Sequence, residues 1–277
     1  MLYLDIILKN NSGSTIAIAN KEMIVAGGHL LREKIIRSKN KLLPLDSEHY
    51  SLFRLSPKDI ETKNLYITAS GGPFYFNKRI NLNKVSRKEV ISHPKWKMGI
   101  NNSIDSSNFI NKILEIFELS IIFNISISKI DFLVSKEAYI HSLLCFKDNT
   151  ISINCFENNM LIPLIKPLTQ NLKSIELNLK EKKFLDFRNL KLELFNDKRF
   201  KIFEYLNKIK NFSHSQQICF IILNNYAHIN YLKGKLPYSS IVDFIFNNIE
   251  DQKDMKLRSF HDILKYIEVL KSRYESY

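Results

Sequence analysis

Short apolar runs alternate with helix-spaced segments through the first 170 residues, and only helix-patterned segments follow residue 190; together these predict an α/β front half with a C-terminal helical bundle. The 277-residue chain is 45% hydrophobic and 25% charged, enough apolar content for the core of one large domain or two ordinary ones.

Thr15 to Ala19 is a short apolar run that reads as a strand, Lys21 to Ser38 carries Ile24, Leu31 and Ile35 at helical spacing, and Lys41 to Leu45 is strand-like again. An acidic N-cap at Asp46 would open a helix from Glu48 to Phe53. Leu65 to Thr68 has the pattern of a buried strand stopped by Ser70-Gly71-Gly72-Pro73, and Ser86 to Ser92 that of a short helix before a loop broken by Pro94. Ser107 to Phe117 predicts a stronger helix. Three strands follow at Ile130 to Val134, Tyr139 to Phe146 and Thr150 to Phe156, the last two joined by the turn Lys147-Asp148-Asn149. Asn171 to Leu190 is rich in Lys and Glu and weakly periodic, as a linker is. Beyond it, Phe200 to Lys208, Ser215 to Leu232, Ser239 to Ile249 and Ser259 to Arg273 are helical, the last with Ile263, Tyr266, Ile267 and Leu270 on one stripe.

Composition removes several function classes. No apolar stretch reaches the roughly 18 residues a membrane span requires. Met1 to Leu8 is apolar but has no basic leader, and Lys9-Asn10-Asn11 follows at once, so a secretory signal is not expected and a cytoplasmic setting is. Cys145, Cys155 and Cys219 are too few and too scattered for a disulfide framework or a thiolate zinc site. The net charge of +13 favours an anionic partner. The excess is mostly lysine, accompanied by abundant Asn and Ile and only 7 Gly, as an AT-rich genome would produce, and no clustered basic patch with interleaved aromatics marks a nucleic-acid surface.

Four local patterns can carry chemistry. Asp46-Ser47-Glu48 directly follows a strand: it is either an acidic helix cap or a pair of alternate carboxylates aimed at one cation. Asn111 and Glu115 share a helix face with Lys112 beside them, as a site or as an ordinary solvated face. Ser70-Gly71-Gly72-Pro73-Phe74 is a plain turn or a close backbone approach to a phosphate. His93-Pro94-Lys95-Trp96-Lys97-Met98-Gly99 holds the single Trp, as a core residue or on a mobile lid.

Taken in order, Ala19-Asn20-Lys21-Glu22, Leu43-Pro44-Leu45-Asp46-Ser47-Glu48-His49, the Ser70 and His93 segments, Asp105-Ser106, Asn111-Lys112 and Glu115 resemble the 1-deoxy-D-xylulose 5-phosphate reductoisomerase family. These are NADPH- and divalent-metal-dependent enzymes that make 2-C-methyl-D-erythritol 4-phosphate on the non-mevalonate route to isoprenoid precursors. The likeness is dense from Thr15 to Glu118, extends through Tyr139-Ile140-His141-Ser142, and beyond Pro163 is one of length and helical texture. It implies Asp46, Glu48 and Glu115 as ligands of Mn²⁺ or Mg²⁺, and three carboxylates without a Cys/His cluster independently suit a hard cation. It implies Ser70, Ser106, Asn111 and Lys112 around the substrate phosphate, with Ser106 near the N-terminus of the following helix, where free N–H groups attract anions. Lys21, Ser47, Glu48 and Glu115 would meet the sugar, and His93 and Trp96 would close over it. Lys21, Glu48, His93 and Trp96 are thereby the implied catalytic set, and Asn20, Glu22 and Gly99 the cofactor side. The partners implied are a small sugar phosphate and a second copy in a homodimer, in a bacterial-type cytoplasm or, second, a plastid-like organelle.

On this resemblance residues 1–45 are a remnant of a Rossmann-type nucleotide-binding domain, 46–170 an α+β catalytic domain holding metal and substrate, 171–190 a linker and 191–277 the helical domain. The glycines at 13, 27, 28, 71, 72, 99 and 234 make no G-x-G-x-x-G turn, so roughly 100 residues of nucleotide-binding domain are expected to lie elsewhere, in a preceding segment or a partner chain. Ile100-Asn101-Asn102 stands where the family has basic residues, Ser135-Lys136 replaces His-Pro, and Asn225-Tyr226-Ala227-His228 replaces an Ala-Ala-Asn-Glu-like turn. The alternative expectation is a non-catalytic remnant that binds metal and sugar phosphate.

Overall fold

The computed structural model describes residues 6–8, 12–57, 61–92, 98–168, 190–250 and 254–275. The mixed α/β front half and the helical C-terminal region are both present. β1 (Thr15–Ile18) and β2 (Lys41–Pro44) pair in parallel, with Thr15 opposite Lys41, and α1 (Lys21–Arg37) crosses between them. α2 (Ser47–Leu55) then leads to the second sheet, whose spatial order is β6-β5-β3-β4-β7. Its strands are β3 (Thr62–Ala69), β4 (Ile130–Val134), β5 (Ile140–Phe146), β6 (Ile151–Cys155) and β7 (Glu193–Leu194). Only β3 and β4 run in parallel, and the long connection they require supplies α3 (Arg87–Ile91), α4 (Ile100–Ser107) and α5 (Ile110–Phe123). After β6 come α6 (Leu161–Leu168), then α7 (Ile202–Ile209), α8 (His214–Leu232), α9 (Ile241–Glu250) and α10 (Phe260–Glu275).

Three expectations need correction. The helix placed at Ser107 to Phe117 is two helices, because Phe109 adopts φ 68° and turns the chain between Ser107 and Ile110. The region 191–277, expected to be helical throughout, begins with β7, which pairs with β4 through Leu133 and Leu194. α6 lies where no helix was expected, its Pro163 falling at a position that needs no helical N–H. Most of the expected linker, residues 171–189, lies outside the described residues.

α5 explains why front half and tail share a core. Ile110, Ile113, Phe117 and Leu119 are fully buried, so the helix is enclosed on all sides. One apolar cluster joins Phe117 to Phe132 of the sheet and to Phe220, Phe246 and Tyr266 of the C-terminal helices; the packing is continuous across the 171–190 boundary. A smaller cluster of Ile18, Ile24, Leu31 and Ile35 fills the space under β1 and β2.

α1 carries a deliberate break. Gly28 has φ 53° and ψ −147°, a conformation essentially reserved for glycine. The imidazole of His214, the first residue of α8, donates from Nε2 to the carbonyls of Val25 at 3.2 Å and Ala26 at 3.1 Å, satisfying acceptors at the break. A Cβ at residue 28 would lie 2.4 Å from that nitrogen. Gly28→Ala is therefore expected to lower unfolding free energy by about 3 kcal/mol in urea titration, from backbone strain plus displacement of the ring. In Gly28→Ala/His214→Ala only the steric part is relieved, so the double variant stays well below the parent.

Candidate active site

The C-terminal ends of β2 and β3 and the N-terminal ends of α2 and α5 converge on a cavity of about 330 Å³. Asp46 caps α2: its Oδ1 accepts from the Glu48 backbone N–H at 3.1 Å and from His49 Nδ1 at 3.0 Å, and its Oδ2 meets Lys21 Nζ at 2.9 Å. The acidic-cap reading of this pair is met, and the cap also turns Glu48 into the same space as Asp46. Glu48 accepts from Ser47 Oγ through one oxygen and from Lys112 Nζ at 2.7 Å through the other.

α5 brings the third carboxylate. Asn111, Glu115 and Glu118 follow at i, i+4 and i+7, a polar stripe on a helix otherwise buried among apolar side chains. Glu115, 1% exposed, accepts through Oε1 from Lys21 at 3.2 Å and from Asn111 Nδ2, and through Oε2 from Lys112 at 2.6 Å. The ordinary solvated face considered for this stretch is thereby overturned. One oxygen from each of Asp46, Glu48 and Glu115 lies within 4.8 Å of the others. Two ammonium groups, Lys21 and Lys112, interleave with these three carboxylates. An all-oxygen donor set carrying one excess negative charge in this cluster suits a small hard divalent cation.

The charges tune one another. Burial pulls Lys21 down, but Asp46, Glu115 and Glu118 outweigh it and hold the ammonium well above its ordinary value. Burial pushes Asp46 up, and Lys21 and His49 override it, leaving the carboxyl well below the usual range. Glu48 goes the other way: burial raises it, Lys112 opposes, and neighbouring Glu115 and Asp46 add to the rise.

Ser70, Gly71 and Gly72 after β3, Ser106 at the end of α4, and Asn111 and Lys112 on α5 line the same cavity. Ser106 is the next-to-last residue of α4, where that helix's dipole is unfavourable to an anion, and it lines the cavity together with Asn111 and Lys112 in the first turn of α5, which begins four residues later at Ile110. The Ser106 hydroxyl, the Lys112 ammonium and the N-terminal end of α5 are the groups in this part of the cavity that attract an anion. Asn20, Glu22 and Gly99 are outside the cavity lining: Asn20 caps α1 by accepting from Met23 N–H, Glu22 lies in that helix's first turn, and Gly99 precedes α4. His93 and Trp96 lie outside the described residues.

The sequence pattern assigned no role to several residues that the fold brings here. His49 is fully buried, with Nε2 3.1 Å from Glu118 Oε2, so a carboxylate backs the imidazole that holds Asp46. His141 on β5, 2% exposed, stacks on Phe156 at 3.8 Å between centroids, and burial lowers its basicity. Asn102, noted only as a departure from basic residues, and Met160 form cavity wall. The i+3 spacing from Glu115 to Glu118 was the one signal in the sequence that could have found the relay behind Asp46.

Burial pushes the Glu118 carboxyl up to about 7, against the opposing pull of His49. The facing carboxylates of Glu118 and Asp46 overcome the effect of burial on His49 and raise it. Both folded-state values exceed the unfolded ones, so the stability they contribute is present at acidic pH; that of Glu118 is lost as pH rises through about 7, and that of His49 as pH rises past the ordinary imidazole range. Glu118→Gln is expected to flatten the decline in unfolding free energy between about pH 5 and 8 in denaturant titrations; an unchanged pH slope would remove Glu118 from the titrating pair.

The family model for the 1-deoxy-D-xylulose 5-phosphate reductoisomerase C-terminal domain matches residues 42–123, the stretch that holds Asp46 through Glu118. The 1-deoxy-D-xylulose 5-phosphate reductoisomerase of Clostridium novyi (strain NT) is 34% identical over 261 residues, covering 92% of this chain and 66% of that protein. The corresponding protein of Pseudothermotoga lettingae is 31% identical over 252 residues, covering 90% of this chain and 68% of its own. The structure of 1-deoxy-D-xylulose 5-phosphate reductoisomerase from Zymomonas mobilis in complex with NADPH matches with a TM-score of 0.84 at 26% identity, over 99% of this chain and 70% of that one. The chain spans about two thirds of the length of these curated relatives. With the fold, the carboxylate cluster and an identity of this extent in agreement, the chain belongs to the 1-deoxy-D-xylulose 5-phosphate reductoisomerase family.

Proposed function

We propose that the chain carries the rearrangement site of a 1-deoxy-D-xylulose 5-phosphate reductoisomerase, the enzyme that forms 2-C-methyl-D-erythritol 4-phosphate. The observation that supports this best is the convergence of three carboxylate oxygens, within 4.8 Å, on a cavity also lined by Ser70, Ser106, Asn111 and Lys112. Asp46, Glu48 and Glu115 hold Mg²⁺ or Mn²⁺, which when bound polarises a ketone and a neighbouring hydroxyl.

The remaining work falls to the chain's own groups. Lys112 gives the phosphate its counter-charge, and the hydroxyls of Ser70 and Ser106 and the Asn111 amide fix its orientation. Ser47, Glu48 and Lys21 meet the sugar hydroxyls, where the raised Glu48 carboxyl can hold or release a proton. Phe109, Met98 and Met160 make the apolar wall that limits water.

The dinucleotide fits less well. The 277 residues have no Gly-rich pyrophosphate turn, and the cofactor-side residues Asn20, Glu22 and Gly99 cannot replace one, so these residues alone do not place a hydride donor. In this reading β1, α1 and β2 are the end of a Rossmann-type domain, and the NADPH cradle is supplied by another nucleotide-binding unit, such as a separate chain. A homodimer and a bacterial-type cytoplasmic setting complete the proposal.

Calorimetric titration with Mn²⁺ is expected to show one site, weakened about a hundredfold in Glu115→Gln, with affinity falling as pH drops because protons compete for the raised Glu48 carboxyl. Unchanged affinity in Glu115→Gln would take that residue out of the site. The function itself is tested by NADPH absorbance with substrate and Mn²⁺. The chain alone is expected to be inactive, and activity is expected on mixing with a separately expressed nucleotide-binding domain from a relative. Oxidation by the chain alone would overturn the proposed outside cradle, and silence in both arms would leave a metal- and sugar-phosphate-binding remnant.

A further inference from the structure

None of the residues lining the cavity comes from the C-terminal helical region. That region nevertheless grips the end of α4 on either side of Ser106. The Asp105 carboxylate, 4% exposed, accepts from Asn224 Nδ2 at 3.0 and 3.2 Å and from His228 Nε2 at 2.8 Å. Asn224 and His228 are four residues apart on α8 and so share one face. Two residues beyond Asp105, the Ser107 carbonyl accepts from the Tyr238 hydroxyl at 2.9 Å. All of these groups are buried, where unmet donors and acceptors are costly, so each bond constrains position as well as contributing energy.

α4 needs such an anchor. It is eight residues long, its N-cap Gly99 offers no side-chain bond, and its first residue, Ile100, is 52% exposed. A helix this short does not hold its own orientation. On the opposite side Ser106 is pressed against the turn that carries Ser70: Gly72 has φ 56°, and a Cβ there would lie 2.7 Å from the Ser106 carbonyl oxygen. The end of α4 is therefore wedged between the Ser70–Gly72 turn and the C-terminal helices.

We infer that Asp105 and Tyr238, together with Asn224 and His228, are positioning residues through which the C-terminal helical region sets the anion-binding geometry of Ser106. The inference rests on the reading of Ser106 as a phosphate contact. The four residues touch neither the metal ligands nor the anion; they hold the backbone on both sides of the serine, so their loss displaces its hydroxyl while leaving the carboxylate cluster on α2 and α5 in place.

The test titrates inorganic phosphate into the chain in the presence of Mg²⁺, and Mn²⁺ alone in a second series, for Ser106→Ala, His228→Leu, His228→Gln and Tyr238→Phe. Ser106→Ala is expected to weaken phosphate about fivefold, and His228→Leu and Tyr238→Phe about three- to tenfold, with Mn²⁺ affinity held within about twofold. His228→Gln retains an N–H donor toward Asp105 and is expected to recover phosphate affinity to within about twofold of the parent. If Ser106→Ala leaves phosphate binding unchanged, the phosphate reading falls and takes the inference with it. If Ser106→Ala weakens binding but His228→Leu and Tyr238→Phe do not, the clamp alone is overturned. Parallel losses of phosphate and Mn²⁺ would mean general loosening and also overturn it. Should His228→Leu fail to fold, Tyr238→Phe decides, since it removes one hydroxyl and keeps the ring.

Discussion

A carboxylate in the middle of an apolar helix is the constraint around which this molecule is arranged. Glu115 is 1% exposed on α5, between Leu114 and Ile116, where an uncompensated charge would be prohibitive. Lys21 from α1, Lys112 and Asn111 from α5 itself meet both of its oxygens. Those partners lead outward to Asp46 and Glu48 on α2, so a single buried charge ties three helices together. The same network gathers oxygens that a cation can use. Stability and the proposed chemistry share one set of atoms, and neither can be changed without the other.

The architecture separates what touches the ligand cavity from what holds it in shape. The front half delivers every lining residue, from strand ends and helix starts such as Thr68 and Glu48, from the end of α4 and from the connecting segments around Ala138 and Asn158. The C-terminal helices act from behind. They share the core through Phe117 and Phe220, brace the α1 break through His214, and meet α4 at Asp105 and Ser107. A second brace lies on the other flank, where Arg199 pairs with Asp197 and donates to the carbonyls of Phe74, Tyr75 and Asn77 just after the Gly72 turn. The turn and α4 are irregular or short, and such pieces keep a defined geometry only where buried polar bonds over-determine it.

Much of the site was legible because it is written in local patterns. Asp46-Ser47-Glu48 after a strand, Gly71-Gly72 after another and the i, i+4 spacing of Asn111 and Glu115 each survive as local geometry, and their order along the chain carries the family resemblance. What escaped was non-local. The i+3 spacing from Glu115 marks Glu118 as sharing its face, but does not show that His49, 69 positions earlier, will face it, and nothing near Asp105 points to His228. The division of Ser107 to Phe117 escaped for a different reason: Phe109 takes a left-handed conformation that its residue type disfavours, and the surrounding aromatic packing with Phe132, Phe195 and Phe200 holds it there.

The sequence by itself determined most of the element types, the residues able to act as ligands and the family, because periodicity, capping and turn chemistry act over a few residues and need no knowledge of the rest of the chain. Tertiary structure alone decided which charges meet, that Lys21 and Lys112 interleave with the three carboxylates, that β7 returns to the front sheet, and that a separate short helix ends at Ser107, just after Ser106. Those outcomes depend on burial, and burial is a property of the closed core: only when α5 is enclosed does the cost of an unpaired charge become large enough to select its partners.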